Sequence, residues 1–175
     1  RSPVAGMPIR VLERFAPGAN RRERVSVART CADGRFSLNL PPGPSREVTA
    51  SFAGTGNLAS ALSETLSLAV RTRVRMRAST PVARVGGPPV VFRGRVAGTI
   101  PPKGKHVQLQ FRLPGLPWSE FRTVRTDSRG RFRYAYRFSD DDSRGVRFQF
   151  RAFAPAQDDW PYEPGGSRPV AVRGR

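Results

Sequence analysis

An eight-residue phrase occurs twice in this chain, at residues 29–36 and again at residues 125–132. The copies read Arg-Thr-Cys-Ala-Asp-Gly-Arg-Phe and Arg-Thr-Asp-Ser-Arg-Gly-Arg-Phe, so five of the eight positions are identical, the glycine among them. A short polar segment that ends in glycine between alternating apolar runs predicts a turn joining two antiparallel strands, because glycine tolerates the positive φ of tight turns. The repeat therefore predicts two units of one architecture within 175 residues.

The second phrase lies within a series of short amphipathic segments. Apolar and polar residues alternate in seven of them, near Val74 and at 90–96, 107–111, 121–126, 132–138, 146–152 and 170–172. Seventeen prolines and seventeen glycines separate such segments, and no long helical period is present. Seven short strands with polar outer faces and regular turns are typical of an immunoglobulin-like β-sandwich. We therefore predict an all-β, antiparallel, seven-stranded sandwich for residues 72–175.

The first unit, residues 1–71, has fewer readable strands. Alternation predicts strands near 9–14, 24–30, 35–40, 46–52 and 65–71, the last running almost directly into the strand near Val74. When the two phrases are aligned, residue 1 falls opposite a residue near 98, so the first unit has no counterpart to 72–97. We therefore predict two tandem sandwich domains, the first without its opening strands. Such a domain exposes an unpaired edge, and a strand from elsewhere is expected to complete it.

Several short motifs resemble modules of secreted bacterial proteins. In the first unit, the segments 3–6, 9–11, 30–36 and 42–43 are similar to carboxypeptidase-regulatory-like (transthyretin-like) modules, although Cys31 stands where an acidic residue is usual. In the second unit, the segments 92–96, 107–109, 125–132 and 167–172 resemble the bacterial immunoglobulin-like repeats of exported actinobacterial proteins. The resemblance implies extracellular β-sandwich modules that serve as spacers, adhesive units or accessory domains.

The net charge of +18 is carried almost wholly by arginine. Arginines spread over strand faces fit either a solvated surface or an anionic partner. One regular set would form a comb on one face of a strand, with about 6.6 Å between neighbours. The members of this comb are Arg71, Arg73, Arg75 and Arg77. A comb of this kind would face a line of phosphates or carboxylates, and nucleic acid is retained as a partner only on account of the charge.

No motif predicts catalysis, a cofactor or a metal centre. Alternation places the single histidine, His106, on the outer face of a strand with no acidic residue close in sequence. The single cysteine, Cys31, lies in the first phrase, which fits an incidental turn residue or an intermolecular disulfide. The acidic run 140–142, together with Asp158 and Asp159, is a candidate calcium site, but three consecutive acids cannot all point into one cage. A solvated loop is the favoured interpretation of that run.

Three aromatic residues in predicted loops are candidate platforms for stacking on sugars. They are Trp118, Trp160 and Tyr162. Residues of this kind also close the ends of β-sandwiches, and the sequence leaves both roles open.

The sequence thus predicts a non-enzymatic structural or adhesive module, such as a stalk, surface-layer or fibre component, of an exported bacterial protein located outside the cell or on its surface. The alternative is an accessory module of a secreted enzyme that binds an anionic glycan or another polyanion. Predicted partners are further copies of the chain, joined by strand complementation, and an anionic cell-surface polymer. Membrane insertion is not expected, because no apolar segment has the length of a membrane span.

Overall fold

The computed structural model describes residues 3–175, and these are all-β apart from one 3₁₀ turn at Asp141–Ser143. They form two compact units. The first contains residues 3–70 together with 158–162, and the second contains residues 71–157 together with 163–175. No helix in the described part of the chain is long and apolar enough to cross a membrane. The predicted all-β fold class is confirmed.

The first unit contains one antiparallel sheet. Its strands are β1 (Pro8–Phe15), β2 (Glu23–Arg29), β3 (Arg46–Phe52), β4 (Ala61–Leu62) and β5 (Leu66–Leu68). The order is β2-β1-β3-β4, and β5 pairs with β3 beside β4. Among the described residues this unit has a single sheet, which agrees with the all-β prediction and lacks a second sheet packed against it. The predicted strand at 35–40 pairs with no strand among residues 3–175, and Phe36 in this segment is 41% exposed. Alternation of apolar and polar residues does not by itself establish that a segment has a hydrogen-bonded neighbouring strand.

The buried side of this sheet follows one row of β1. Ile9, Val11 and Glu13 are 8%, 4% and 0% exposed. Strand β3 is paired on both sides, with β1 on one side and with β4 and β5 on the other. The free edge among the long strands is β2, which pairs only with β1 within the described residues. Residues 158–162 pack with this unit, where Ser45 N donates to Pro161 O at 2.8 Å.

The second unit is a two-sheet sandwich of nine strands. They are β6 (Val74–Ala78), β7 (Val82–Ala83), β8 (Val90–Val96), β9 (His106–Arg112), β10 (Ser119–Arg125), β11 (Arg131–Tyr136), β12 (Arg147–Ala154), β13 (Gly165–Gly166) and β14 (Val170–Gly174). The seven longer strands lie where alternation predicted them, and the two-residue strands β7 and β13 are additional. One sheet has the order β11-β8-β6, and the other has the order β10-β9-β12-β14-β7, with β13 pairing with β12. Among the seven longer strands, the first (β6) pairs with the second (β8), the second with the fifth (β11), and the third (β9) with the sixth (β12). Immunoglobulin-like sandwiches have the same pairing.

The two repeated phrases form the same turn. Asp127 N donates to Arg131 O at 2.8 Å and Gly130 N to Asp127 O at 3.0 Å, and the corresponding bonds from Cys31 N and Gly34 N are 2.7 and 2.9 Å. The glycines have φ values of +75° and +76°. The predicted hairpin is nevertheless wrong. Strand β10 pairs with β9 and β11 pairs with β8 in the other sheet, so the second turn carries the chain from one sheet to the other.

The core of the second unit lies between its sheets and is rich in aromatic rings. Phe92 and Phe150, from opposite sheets, are 0% and 2% exposed, and their ring centres are 4.8 Å apart. The strand predicted at 65–71 and the strand predicted near Val74 are two separate strands, and the first is shorter than expected. Strand β5 ends at Leu68 and β6 begins at Val74, and between them Arg71 forms an isolated bridge with Glu163.

Candidate polyanion-binding face

The four arginines of the predicted comb are all exposed, alternating with the buried Thr72 and Val74. The alternation is therefore as the sequence indicates. The comb is not carried by one strand, however, because Arg71 and Arg73 precede β6 and only Arg75 and Arg77 lie within it.

Strand pairing adds four further arginines to those two. Arg75 of β6 is opposite Arg95 of β8, which is opposite Arg131 of β11. In the next row, Arg77 is opposite Arg93, which is opposite Arg133. The six arginines form two rows of three across the three-stranded sheet, and all six are exposed. We call this set of Arg75, Arg77, Arg93, Arg95, Arg131 and Arg133 the arginine grid.

The row between the two arginine rows faces the core. It consists of Met76, Gly94 and Phe132, which are opposite one another in register. A Cβ atom on Gly94 would lie 2.2 Å from Phe132 Cζ and 2.4 Å from the Arg75 carbonyl oxygen. Glycine at position 94 therefore lets the Phe132 ring pack directly on the central strand, so that the three strands keep normal spacing and the grid stays regular.

A shallow groove of about 750 Å³ lies over the grid, and its lining also includes the middle row of Met76, Gly94 and Phe132 together with Arg125 and Asp127. Within residues 3–175, none of the six grid guanidinium groups has a carboxylate oxygen within 4.0 Å. Arg95 Nε donates to the Arg129 carbonyl oxygen at 3.2 Å. The grid is thus a concentrated positive surface that the described part of the chain leaves without ion pairs.

The carboxylate of Asp127, beside the groove, is held by its own turn. Asp127 Oδ1 accepts hydrogen bonds from the backbone N–H groups of Arg131 and Arg129, at 2.8 and 2.9 Å. The Arg131 N–H group, then the Arg129 N–H group and the two positive charges, hold the pKa of Asp127 below its ordinary value. The Oδ1 atom of Asp127 is therefore engaged by the backbone of the turn.

We expect the Asp127 carboxyl carbon to titrate in NMR with a midpoint below the model-peptide value of about 3.9. Because the native pKa is lowered, the stability that this carboxylate contributes is present above the unfolded-state pKa and is lost as pH falls through the native pKa. A midpoint at or above about 3.9 would contradict the hydrogen-bonded turn.

The outer face of the other sheet carries a separate pair of arginines on Trp118. The guanidinium carbons of Arg112 and Arg151 lie 4.5 and 4.3 Å from the centre of the Trp118 ring. Their Nε atoms donate to Gln149 Oε1 and Gln110 Oε1 at 2.7 and 2.8 Å. Burial, followed by the charge of Arg112, lowers the pKa of Arg151. Two guanidinium groups therefore contact the Trp118 ring, and its stacking on a sugar stays a prediction.

The other two candidate platforms lie together in the first unit. Trp160 is 7% exposed and its ring centre is 5.0 Å from that of Tyr162, which is half-buried. Burial raises the pKa of Tyr162. Trp160 therefore packs in the interior of its unit, which corresponds to the sequence alternative in which loop aromatics close a domain.

The residues weighed for catalysis and for metal binding are placed as follows. His106 is exposed, and its Nε2 atom lies 2.7 Å from Arg125 Nη2. Cys31 is exposed in the first turn. Asp140 caps the 3₁₀ turn by accepting from Asp142 N at 3.2 Å, and Asp141 forms an ion pair with Arg144 at 2.8 Å. Among residues 3–175 no group of three or more His, Cys, Asp or Glu residues is arranged to hold a metal ion.

A buried ion-paired cluster in the first unit was not predicted from the sequence. Glu13, with no exposed surface, accepts from Arg24 Nε and Nη2 at 2.5 and 2.6 Å. Arg46 Nε lies 2.8 Å from Glu13 Oε2 as an ion pair without hydrogen-bond alignment, and its Nη atoms donate to the Pro44 and Pro41 carbonyl oxygens, each at 2.9 Å. The Phe15 ring packs under both guanidinium groups, 5.7 and 5.6 Å from their carbons. These contacts satisfy a carboxylate that sits in the core of the sheet.

Comparison with protein-family models and with curated proteins gives no match for this chain. The fold and the grid alone therefore define its class: an all-β protein with a strongly basic sheet face in its second unit.

Proposed function

We propose that this chain is a non-catalytic binding module whose arginine grid holds an anionic polymer. The observation that carries the proposal is the placement of six exposed arginines in two cross-strand rows without a carboxylate within 4.0 Å among the described residues. The resemblance to modules of exported proteins is compatible with a polymer outside the cell or on its surface.

The cost of assembling the grid supports a role in binding. Like charges directly opposite each other on neighbouring strands are destabilising. Four such pairs occur here, because each of the central residues Arg93 and Arg95 faces an arginine on either side. A bound anion would replace these repulsions with attractions, and guanidinium groups bind carboxylates, sulfates and phosphates through paired N–H donors.

The dimensions of the grid favour a repeating ligand over a single small anion. Neighbouring strands lie about 4.8 Å apart, and alternate residues along a strand lie about 6.6 Å apart. The two rows therefore present charge over a length that several anionic groups of one chain would span. A module that serves only as a spacer would gain nothing from this arrangement.

The test uses the 175-residue chain and heparin as a model sulfated polymer. The double substitution Arg93→Gln/Arg95→Gln removes the central charges, each of which faces two others. We expect heparin affinity to fall at least about tenfold at low salt, and the slope of log K against log salt to become shallower by about two, one for each guanidinium group removed. Fluorescence titration at several salt concentrations measures both quantities.

The matched control is Arg84→Gln/Arg168→Gln, which makes the same change in net charge. Both residues are exposed, and within residues 3–175 their side chains form no hydrogen bond or ion pair. The control should retain most of the affinity and of the salt slope. If both pairs weaken binding equally, the chain binds through its overall charge and the grid is a solvated face.

A further inference from the structure

Among residues 3–175, the first unit has one long strand with a free edge. Strand β2 pairs with β1 over seven consecutive positions, from Glu23 opposite Arg14 to Arg29 opposite Pro8, with no bulge. Its other edge meets no strand among residues 3–175. Val25 and Val27, both in this strand, are 47% and 62% exposed. Natural edge strands are protected by shortening, bulges, proline or charged side chains, and of these β2 has only the charged side chains of Glu23, Arg24 and Arg29.

The backbone of β2 offers a complete set of groups on that edge. Arg22 O accepts from Phe15 N, and Thr30 N donates to Met7 O, so the even-numbered residues bond to β1. In an antiparallel ladder, successive residues alternate between the two edges. The N–H and C=O groups of the odd-numbered residues therefore point outward. These residues are Glu23, Val25, Val27 and Arg29.

The sequence of β2 is complementary to itself in the antiparallel direction. When two copies are centred on Ser26, Glu23 of one copy faces Arg29 of the other at both ends. Val25 then faces Val27, and the outward backbone groups of both strands come into hydrogen-bonded register. Opposite charges and apolar pairs across strands are both stabilising.

From this complementarity we infer that two copies of the chain associate through β2, joining their first-unit sheets into one continuous antiparallel sheet. The contact is isologous, because the same strand serves both partners about a two-fold axis at Ser26. It lies in a different unit from the arginine grid, so it stands independently of polymer binding.

The remaining long edges do not share this combination of features. Strand β10 has an irregular register between Glu120 and Arg122. Strands β6 and β11 carry grid arginines on their exposed face, so addition of an identical strand would bring further positive charge to that sheet. Strand β2 alone among these combines an unbroken register, exposed valines and paired opposite charges.

Charge reversal provides the test. In the Glu23→Arg variant both terminal pairs become Arg–Arg, and in the Arg29→Glu variant both become Glu–Glu. The dimer dissociation constant of each variant alone should be at least about tenfold higher than that of the parent chain, because two attractive charge pairs become two repulsive ones. An equimolar mixture of the two variants restores two opposite-charge pairs and should associate as the parent does. Sedimentation velocity over a concentration series measures all four samples.

The mixed sample distinguishes loss of the β2 contact from a local folding defect in either variant. Glu23 also forms an exposed ion pair with Arg14 at 3.1 Å, and Arg29 Nη1 donates to Gly6 O at 2.9 Å. Removal of these local bonds affects each variant in the same way whether or not the other is present, and thermal unfolding of each variant records it. Association in the mixture alone therefore supports the β2 contact and its register.

Two results would overturn the inference. One is a parent chain that stays monomeric at all concentrations, which would leave the edge for a different partner or for solvent. The other is a mixture that is as monomeric as its two components. In both cases heparin binding by the grid would be untouched, since every grid residue is retained.

Discussion

Replacing Glu13 by alanine is expected to lower the free energy of unfolding of the first unit by about 3–5 kcal/mol, the range found when one partner of a buried ion pair is removed. The carboxylate is fully buried and holds Arg24 and Arg46, whose side chains are 23% and 5% exposed. Without it the Arg46 guanidinium group stays in the core with only two proline carbonyl oxygens as acceptors. Hydrogen exchange of the amides in β1 and β3 would measure the destabilisation.

The matched control is Glu47→Ala, which removes a carboxylate from the same sheet but away from the β2 edge. Glu47 is exposed and forms no ion pair among the described residues, so its removal should cost less than about 1 kcal/mol. Equal losses of protection in the two variants would show that the buried cluster contributes no more than an exposed carboxylate. A second variant, Glu13→Gln, keeps the shape and one acceptor oxygen and should fall between the control and the alanine variant.

The strands of the second unit could be predicted because each has one face in the core and one in solvent. In β11, for example, Phe132 is buried between the exposed Arg131 and Arg133, and this is the period-two pattern that sequence reasoning detects. The partner of each strand could not be predicted in this way. The phrase at 125–132 indicates a turn in either case, whether β10 and β11 pair with each other or, as observed, with strands of different sheets.

The first unit was harder to predict because it contains a single sheet, so the burial of its residues does not follow the two-sheet pattern of a sandwich. Segment 35–40 alternates as a strand would, yet it pairs with no strand among the described residues. Strand β2 shows the opposite case, since its valines are the exposed residues and the buried side includes the ion-paired Arg24. The position of Glu13 on the same face as Ile9 and Val11 is the sequence signal from which this cluster could have been predicted.

The candidate site was predicted in part. The sequence pattern placed Arg75 and Arg77 on one exposed face of a strand, and both are exposed. The alternation of arginine with less polar residues around Arg93, Arg95, Arg131 and Arg133 was also visible in the sequence. What sequence alone could not supply was the strand order, which places β8 between β6 and β11 and turns three separate arginine pairs into one grid. Residues that are 16 or more positions apart in sequence became neighbours only through register, as Arg77 and Arg93 did.

The second large effect is expected from Phe150→Ala, which should destabilise the second unit by about 3–5 kcal/mol. Phe150 is 2% exposed and lies at the centre of the aromatic core, with ring centres of Phe92, Phe121 and Tyr136 at 4.8, 5.8 and 5.8 Å. Truncation removes apolar area from the contact between the two sheets and leaves a cavity that rings on rigid strands cannot fill. Denaturant unfolding, with hydrogen exchange of β8 and β12, measures the change.

The control for Phe150→Ala is Phe36→Ala, since Phe36 is 41% exposed and lies outside the strands, so its removal should cost much less. The Phe150→Ala variant also tests whether heparin binding depends on the exposed arginines or on the packing between the sheets. Below its unfolding transition this variant keeps every grid arginine on strands β6, β8 and β11, and it should still bind heparin with the parent salt slope. Loss of heparin binding in a sample that remains folded would mean that binding depends on the packing between the sheets, and a polymer held by the exposed arginines alone would then be excluded.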